Sequence, residues 1–126
     1  MLKIAMVMIG LLVASPMLVQ AEMVDVITIE RRAECCMANL VQLHNDFNAY
    51  GEKNGGAQYD LLTPLHSDNQ GVLFVVGRYP SVEAFGKSND DFRAKAGVKG
   101  SAAATLLTRF SECAHIVTRA SAVTVQ

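Results

Sequence analysis

Tryptophan is absent from this chain, and aromatic residues of any kind are few: five Phe and three Tyr. Excess charge is missing too. Eleven Lys and Arg face twelve Asp and Glu, and no basic residues cluster beyond Arg31-Arg32. That excludes the electrostatic footprint of a nucleic-acid binder or of a protein held on anionic membrane surfaces. There is no Asn-x-Ser/Thr sequon, no phosphate-binding Gly loop, no His-Glu-x-x-His motif and no Ser-His-Asp order worth defending. P-loop, zinc-hydrolase and triad chemistry therefore lack their usual sequence signatures. Gly55-Gly56 and Gly97-x-x-Gly100 read as turn and break residues. With 126 residues the chain holds one domain, without repeats or low-complexity linkers.

What is present begins with an apolar run. Met1-Leu-Lys3 is a short positive segment, Ile4 to Val19 is apolar apart from Gly10, Ser15 and Pro16, and Val19-Gln-Ala21 suits signal peptidase. Residues 1–21 therefore read as a cleaved secretory signal, with Glu22 as the mature N-terminus and residues 22–126 as one exported domain, periplasmic or secreted. The competing reading is an uncleaved anchor, for which the run is short. Losing Lys3 leaves ten basic residues against twelve acidic, a net charge of −2.

The mature chain changes period several times. Met23–Arg31 alternates, with Asp25, Ile27, Ile29 and Arg31 on one face and Val24, Val26, Thr28 and Glu30 on the other, which predicts a strand. From Ala33 the spacing is helical, and Cys36, Leu40, Leu43, Phe47 and Tyr50 form one stripe that ends at Gly51 and Asn54-Gly-Gly56. Gln58–His66 is a second strand, at a sheet edge because Pro64 cannot donate to a ladder. Ser67–Gly71 is a hairpin turn into a central strand, Gly71–Tyr79, apolar enough to be largely buried on both faces. Pro80 and Ser81 open a helix with Val82, Phe85 and Phe92 on one side. After Gly97 and Gly100, Val98, Ala102, Leu106 and Phe110 suggest a further short helix, and a strand runs from about Glu112 to Val123.

The order βαββααβ predicts an α+β fold of the ferredoxin-like kind, a four-stranded antiparallel sheet with helices on one face. The bare sheet face needs a cover, and a second copy of the sheet supplies one. This order, with Gly77-Arg-Tyr-Pro-Ser-Val-Glu-Ala-Phe85 at the strand-to-helix junction, resembles the dimeric α+β barrel superfamily, which includes antibiotic-biosynthesis-monooxygenase-like domains. The resemblance implies a homodimeric α+β barrel. Haem-degrading members use an Asn, a Trp and a His, and a chain without Trp departs from that set.

Three cysteines follow the signal: the adjacent Cys35 and Cys36, and Cys113. In the ferredoxin-like order strands one and four are antiparallel neighbours, so the end of the first lies beside the start of the last. Thiols brought together in an exported protein oxidise. The expected disulfide is Cys36–Cys113, since Cys36 lies on the helical stripe, although spacing alone leaves open whether Cys35 takes its place. All three as buried apolar residues is the bland alternative. A metal alternative joins Cys36 to Cys113-Ala-His115, but the spacing fits no ordinary zinc module, and neither metal nor cofactor is expected.

If Cys113 points toward the helices, alternation sends His115, Val117 and Arg119 inward and Ala114, Ile116 and Thr118 toward the dimer partner. His44, His115, Arg119 and Phe47 are accordingly the candidate ligand-binding residues. His66, Asn45 and Asp46 read as exposed surface. Three functions compete. They are a binder of a small apolar or aromatic molecule, a cofactor-independent monooxygenase- or isomerase-like enzyme with His44 or His115 as base, and a dimerisation module without a ligand.

Overall fold

The computed structural model describes residues 21–66, 68–69 and 71–125. The expected signal peptide lies, but for Ala21, outside the described residues. Seven elements follow in chain order: β1 (Met23–Arg31), α1 (Met37–Asn54), β2 (Tyr59–Leu62), β3 (Val72–Tyr79), α2 (Val82–Ala96), α3 (Ala102–Cys113) and β4 (Ala114–Val123). The strands form one antiparallel sheet in the order β2-β3-β1-β4. Element order and strand order together define the ferredoxin-like fold.

Local chemistry explains the boundaries. The Ser81 and Ser101 hydroxyls each accept a hydrogen bond from a backbone N–H of the first turn of α2 and α3. α1 ends on Gly55 at φ 73°, a left-handed conformation that glycine adopts without a Cβ penalty. Its N-cap, Cys36, makes no side-chain capping bond. Three expected boundaries shift. α1 starts at Met37 and not near Ala33, and β2 ends at Leu62, before Pro64. α3 runs on to Cys113, so β4 begins at Ala114. Ser101 sets the start of α3, which leaves Val98 in the preceding turn and exposed.

Odd-numbered residues of β1, β2 and β3 face the helices. Ile29 and Leu73, each 2% exposed, join Leu40, Leu43, Leu106 and the Cys35–Cys113 disulfide in a tight core at one end of the sheet. Toward the other end the inward residues Ile27, Val75, Phe47 and Phe110 are only half-buried, because they border a cavity. β3 thus buries one face except at Val75, which borders the cavity. Its other face (Val72, Phe74, Val76) is half-buried in the monomer.

β4 does not alternate as expected. Ile116 pairs with Ile29 but Thr118 pairs with Thr28, so Val117 is an extra residue and the ladder shifts register. Ala114 and Ile116 face the helices before the bulge, and Arg119 faces them after it. The expectation that Ala114 and Ile116 turn to the partner is corrected, and with it the inward placement of His115 and Val117. A bulge reverses the parity of everything beyond it, which accommodates both the apolar Ala114–Ile116 pair and the inward Arg119.

Candidate functional site

The cavity lies between the helices and the sheet, with a volume of about 270 Å³. Its walls are mostly apolar: Ile27, Leu43, Phe47, Val75, Phe92 and Phe110 are among them. The aromatic side holds together by edge contacts, with Phe47 against Phe110 at 6.4 Å and Tyr50 against Phe92 at 5.7 Å between ring centroids.

One end of the cavity is polar and carries an ion pair whose carboxylate is buried and whose guanidinium side chain is 34% exposed. Asp25 projects from the inward face of β1 and is fully buried. Arg119, beyond the β4 bulge, grips it with two hydrogen bonds, Nε to Oδ1 at 3.0 Å and Nη2 to Oδ2 at 2.7 Å. Nη2 also donates to Asn89 Oδ1 on α2 at 3.1 Å, and the guanidinium lies 5.5 Å from the centre of the Phe85 ring. Tyr59 Oη donates to Asp25 Oδ2 at 2.8 Å and lies 2.9 Å from Tyr79 Oη. Since the one Tyr59 proton goes to Asp25, Tyr79 donates to Tyr59.

The sheet builds this cluster as a row. Tyr59 pairs with Gly77 and Gly77 with Asp25, so the three stand side by side on β2, β3 and β1. The Tyr59 ring reaches Asp25 by lying across Gly77, where a Cβ would come within 2.5 Å of ring carbons. Burial first, and then the bonds with Tyr79 and Asp25, raise the Tyr59 phenol far above its ordinary value. The hydrogen bonds to Asp25 likewise hold the Arg119 guanidinium above its ordinary value, against the opposing effect of burial.

His44 lines the cavity from α1, with Nε2 3.3 Å from Asn48 Nδ2. Asn48 pins the start of β2 to the helix. Its Oδ1 accepts from Tyr59 N and its Nδ2 donates to Tyr59 O, each at 2.9 Å.

Of the four residues singled out from sequence, His44, Phe47 and Arg119 border this cavity. His115 does not. It stands on the opposite sheet face, cross-strand from Glu30, with Nε2 3.7 Å from Oε2. The disulfide joins Cys35, not Cys36, to Cys113, with Cα atoms 4.9 Å apart, and Cys36 is a free, exposed thiol. The physical reason is where α1 begins. Residues 32–36 form a turn and not helix, so Cys35 points inward at the α3–β4 junction and Cys36 points out as N-cap. The suggested metal set of Cys36, Cys113 and His115 is accordingly not brought together. Among the described residues no group of three or more His, Cys, Asp or Glu is arranged for a metal ion.

Sequence reasoning missed Asp25, Tyr59, Tyr79 and Asn89. A signal existed for the first: Asp25 falls on the inward parity of an otherwise apolar strand, and a Gly interrupts the facing strand at position 77.

No family model matches the chain, and no curated protein matches it significantly. Two solved structures are similar. A conserved protein of unknown function from Bacteroides thetaiotaomicron VPI-5482, which carries the description "possible oxidoreductase", superposes with a TM-score of 0.52 at 12% identity. The match covers 83% of this chain and 99% of that one. A dimeric protein of unknown function with a ferredoxin-like fold, from Bacteroides fragilis NCTC 9343, matches with a TM-score of 0.43 at 11% identity, over 81% and 94%. At such identities the likeness concerns fold alone.

Proposed function

We propose that this chain is an exported, homodimeric binder of a small apolar or aromatic molecule, held in the cavity between helices and sheet. The observation that carries the reading is the composition of that cavity: apolar walls of about 270 Å³ with a few polar groups converging at one end. An engineered cavity of ~150 Å³ takes up benzene, so this one suits a molecule of one substituted ring or two fused rings. Export fits the Cys35–Cys113 disulfide, which persists in an oxidising compartment. Among the described residues no helix is long and apolar enough to cross a membrane. The half-buried outer face of the sheet supports the dimer, as argued below.

Native mass spectrometry of the protein purified from the periplasm tests the reading. The expected result is a mature chain starting at Glu22 that carries a small molecule. Val75→Trp, which fills the cavity from β3, should lose that molecule and keep the fold. A wild-type protein that arrives empty and takes up no apolar dye saturably overturns it.

The catalytic alternative rests on His44 alone, the one histidine on the cavity wall. If it is right, His44→Ala abolishes turnover of the bound molecule while leaving its affinity within a few-fold.

A further inference from the structure

Arg119 is the one arginine that borders the cavity, and a cavity arginine ordinarily suggests an anionic ligand. Its surroundings argue otherwise. The carboxylate it faces, Asp25, is fully buried and held by two hydrogen bonds, so the positive charge is already matched inside the protein. Of the other ionic groups around the cavity, Asp91 is paired with Lys87 at 2.6 Å, while Lys95 keeps its charge in solvent, exposed and bonded to the neutral Asn54 Oδ1 at 2.7 Å.

Hydrogen-bonding capacity at the polar end can be followed proton by proton. A guanidinium has five N–H donors. Nε uses one on Asp25, and Nη2 uses two, on Asp25 and Asn89. Nη1 makes no hydrogen bond with the described residues, so its two donors remain. Asn89 Nδ2 spends one proton on Phe85 O and keeps one. The Tyr59 and Tyr79 protons are committed along the chain Tyr79→Tyr59→Asp25. What a ligand meets here is therefore a set of donors without net charge.

Resting on the binding reading above, we infer that the cavity selects an uncharged apolar molecule carrying one hydrogen-bond acceptor oxygen, seated on Arg119 Nη1, and rejects carboxylates. A carboxylate seated on Arg119 would lose its hydration beside Asp25 with no unmatched positive charge at that end to offset the loss. A carbonyl or ether oxygen has little hydration to lose and gains a charge-assisted hydrogen bond.

Three probes of one shape separate the outcomes by isothermal titration calorimetry: 2-acetylnaphthalene, 2-naphthoate and 2-ethylnaphthalene. The wild-type protein should bind the ketone about tenfold more tightly than the hydrocarbon, as expected for a hydrogen bond to a charged donor, and more tightly still than the carboxylate. Asp25→Asn leaves the Arg119 charge unmatched and should reverse the order, with 2-naphthoate ahead. Wild-type protein that binds 2-naphthoate as tightly as the ketone overturns the inference and leaves the binding reading standing. So does a folded Asp25→Asn variant that still prefers the ketone. If none of the three binds saturably, the binding reading itself falls and takes the inference with it. The wild-type ranking decides even if Asp25→Asn does not fold.

Discussion

Tyr59, Gly77 and Asp25 stand abreast on three strands, and the absence of a side chain at the middle position lets the outer two touch. Gly77→Ala sets a methyl against the Tyr59 ring and should cost about 1–3 kcal/mol, the usual range for overpacking. Thermal unfolding checks this, and an unchanged melting temperature would refute it. Tyr59 makes a second prediction, in pH. Its folded-state pKa is raised, so the stability it lends is complete below the unfolded phenol value of about 10 and shrinks above it. There the unfolded chain gives up a proton that the folded chain keeps, and stability falls by about 1.4 kcal/mol per pH unit from this group. Urea unfolding from pH 9 to 11 should show the wild type losing stability more steeply than Tyr59→Phe. Parallel slopes would rule it out. Little of this cluster could be read from sequence beyond the anomaly of Asp25 on a core parity. The partners of Asp25 lie 34 and 94 residues away, and only strand order brings them together.

At the scale of elements, the strands and helices were legible because each buries one face, and burial imposes period two or 3.6 on the sequence. What stayed illegible were two breaks of period. Cys36 continues the stripe of Leu40, Leu43 and Phe47, so spacing alone draws it into the helix and into the core. The chain instead turns at residues 32–36, and Cys35 meets Cys113. The bulge at Val117 likewise has no signature in a strand whose residues are mostly exposed, and it decides that Arg119 reaches Asp25. The disulfide joins the entrance of α1 to the exit of α3 across 78 residues, and the same junction is closed by a backbone hydrogen bond from Arg32 N to Cys113 O at 2.8 Å. On the chain-entropy account such a loop is worth roughly 4 kcal/mol. Cys35→Ser should therefore lower the urea midpoint strongly, whereas Cys36→Ser should leave it unchanged and remove the one thiol that reacts in the unreduced protein. If instead Cys36→Ser exposes a new thiol and destabilises, the pairing is Cys36–Cys113.

For the whole molecule the open question is what covers the outer sheet face. The helices cover one side only, and on the other the ladder sets Val26 beside Val76 and Ala120, and Phe74 beside Leu62 and Thr28. Charged residues flank this apolar centre: Asp60 beside Val76 on the edge strand β2, Arg78 toward one end, and Glu30 with His115 toward the other. An apolar centre with a polar rim is how a specific interface is built. A patch like this on a small monomer marks an interaction site. The proposed second copy would meet it by a two-fold axis through the sheets, which pairs like patch with like and would close the assembly at two chains. Here β3 lies centrally, and the Val76 side chain stands at the middle of the patch, pointing away from the cavity and from Asp25. Val76→Lys should therefore leave ligand affinity and the disulfide intact while weakening self-association ~30-fold or more, the loss typical of a central contact residue. Analytical ultracentrifugation of both proteins at micromolar concentration decides the matter. A wild type that sediments as a monomer removes the dimer. A Val76→Lys variant that sediments as a dimer moves the interface to another face of the molecule.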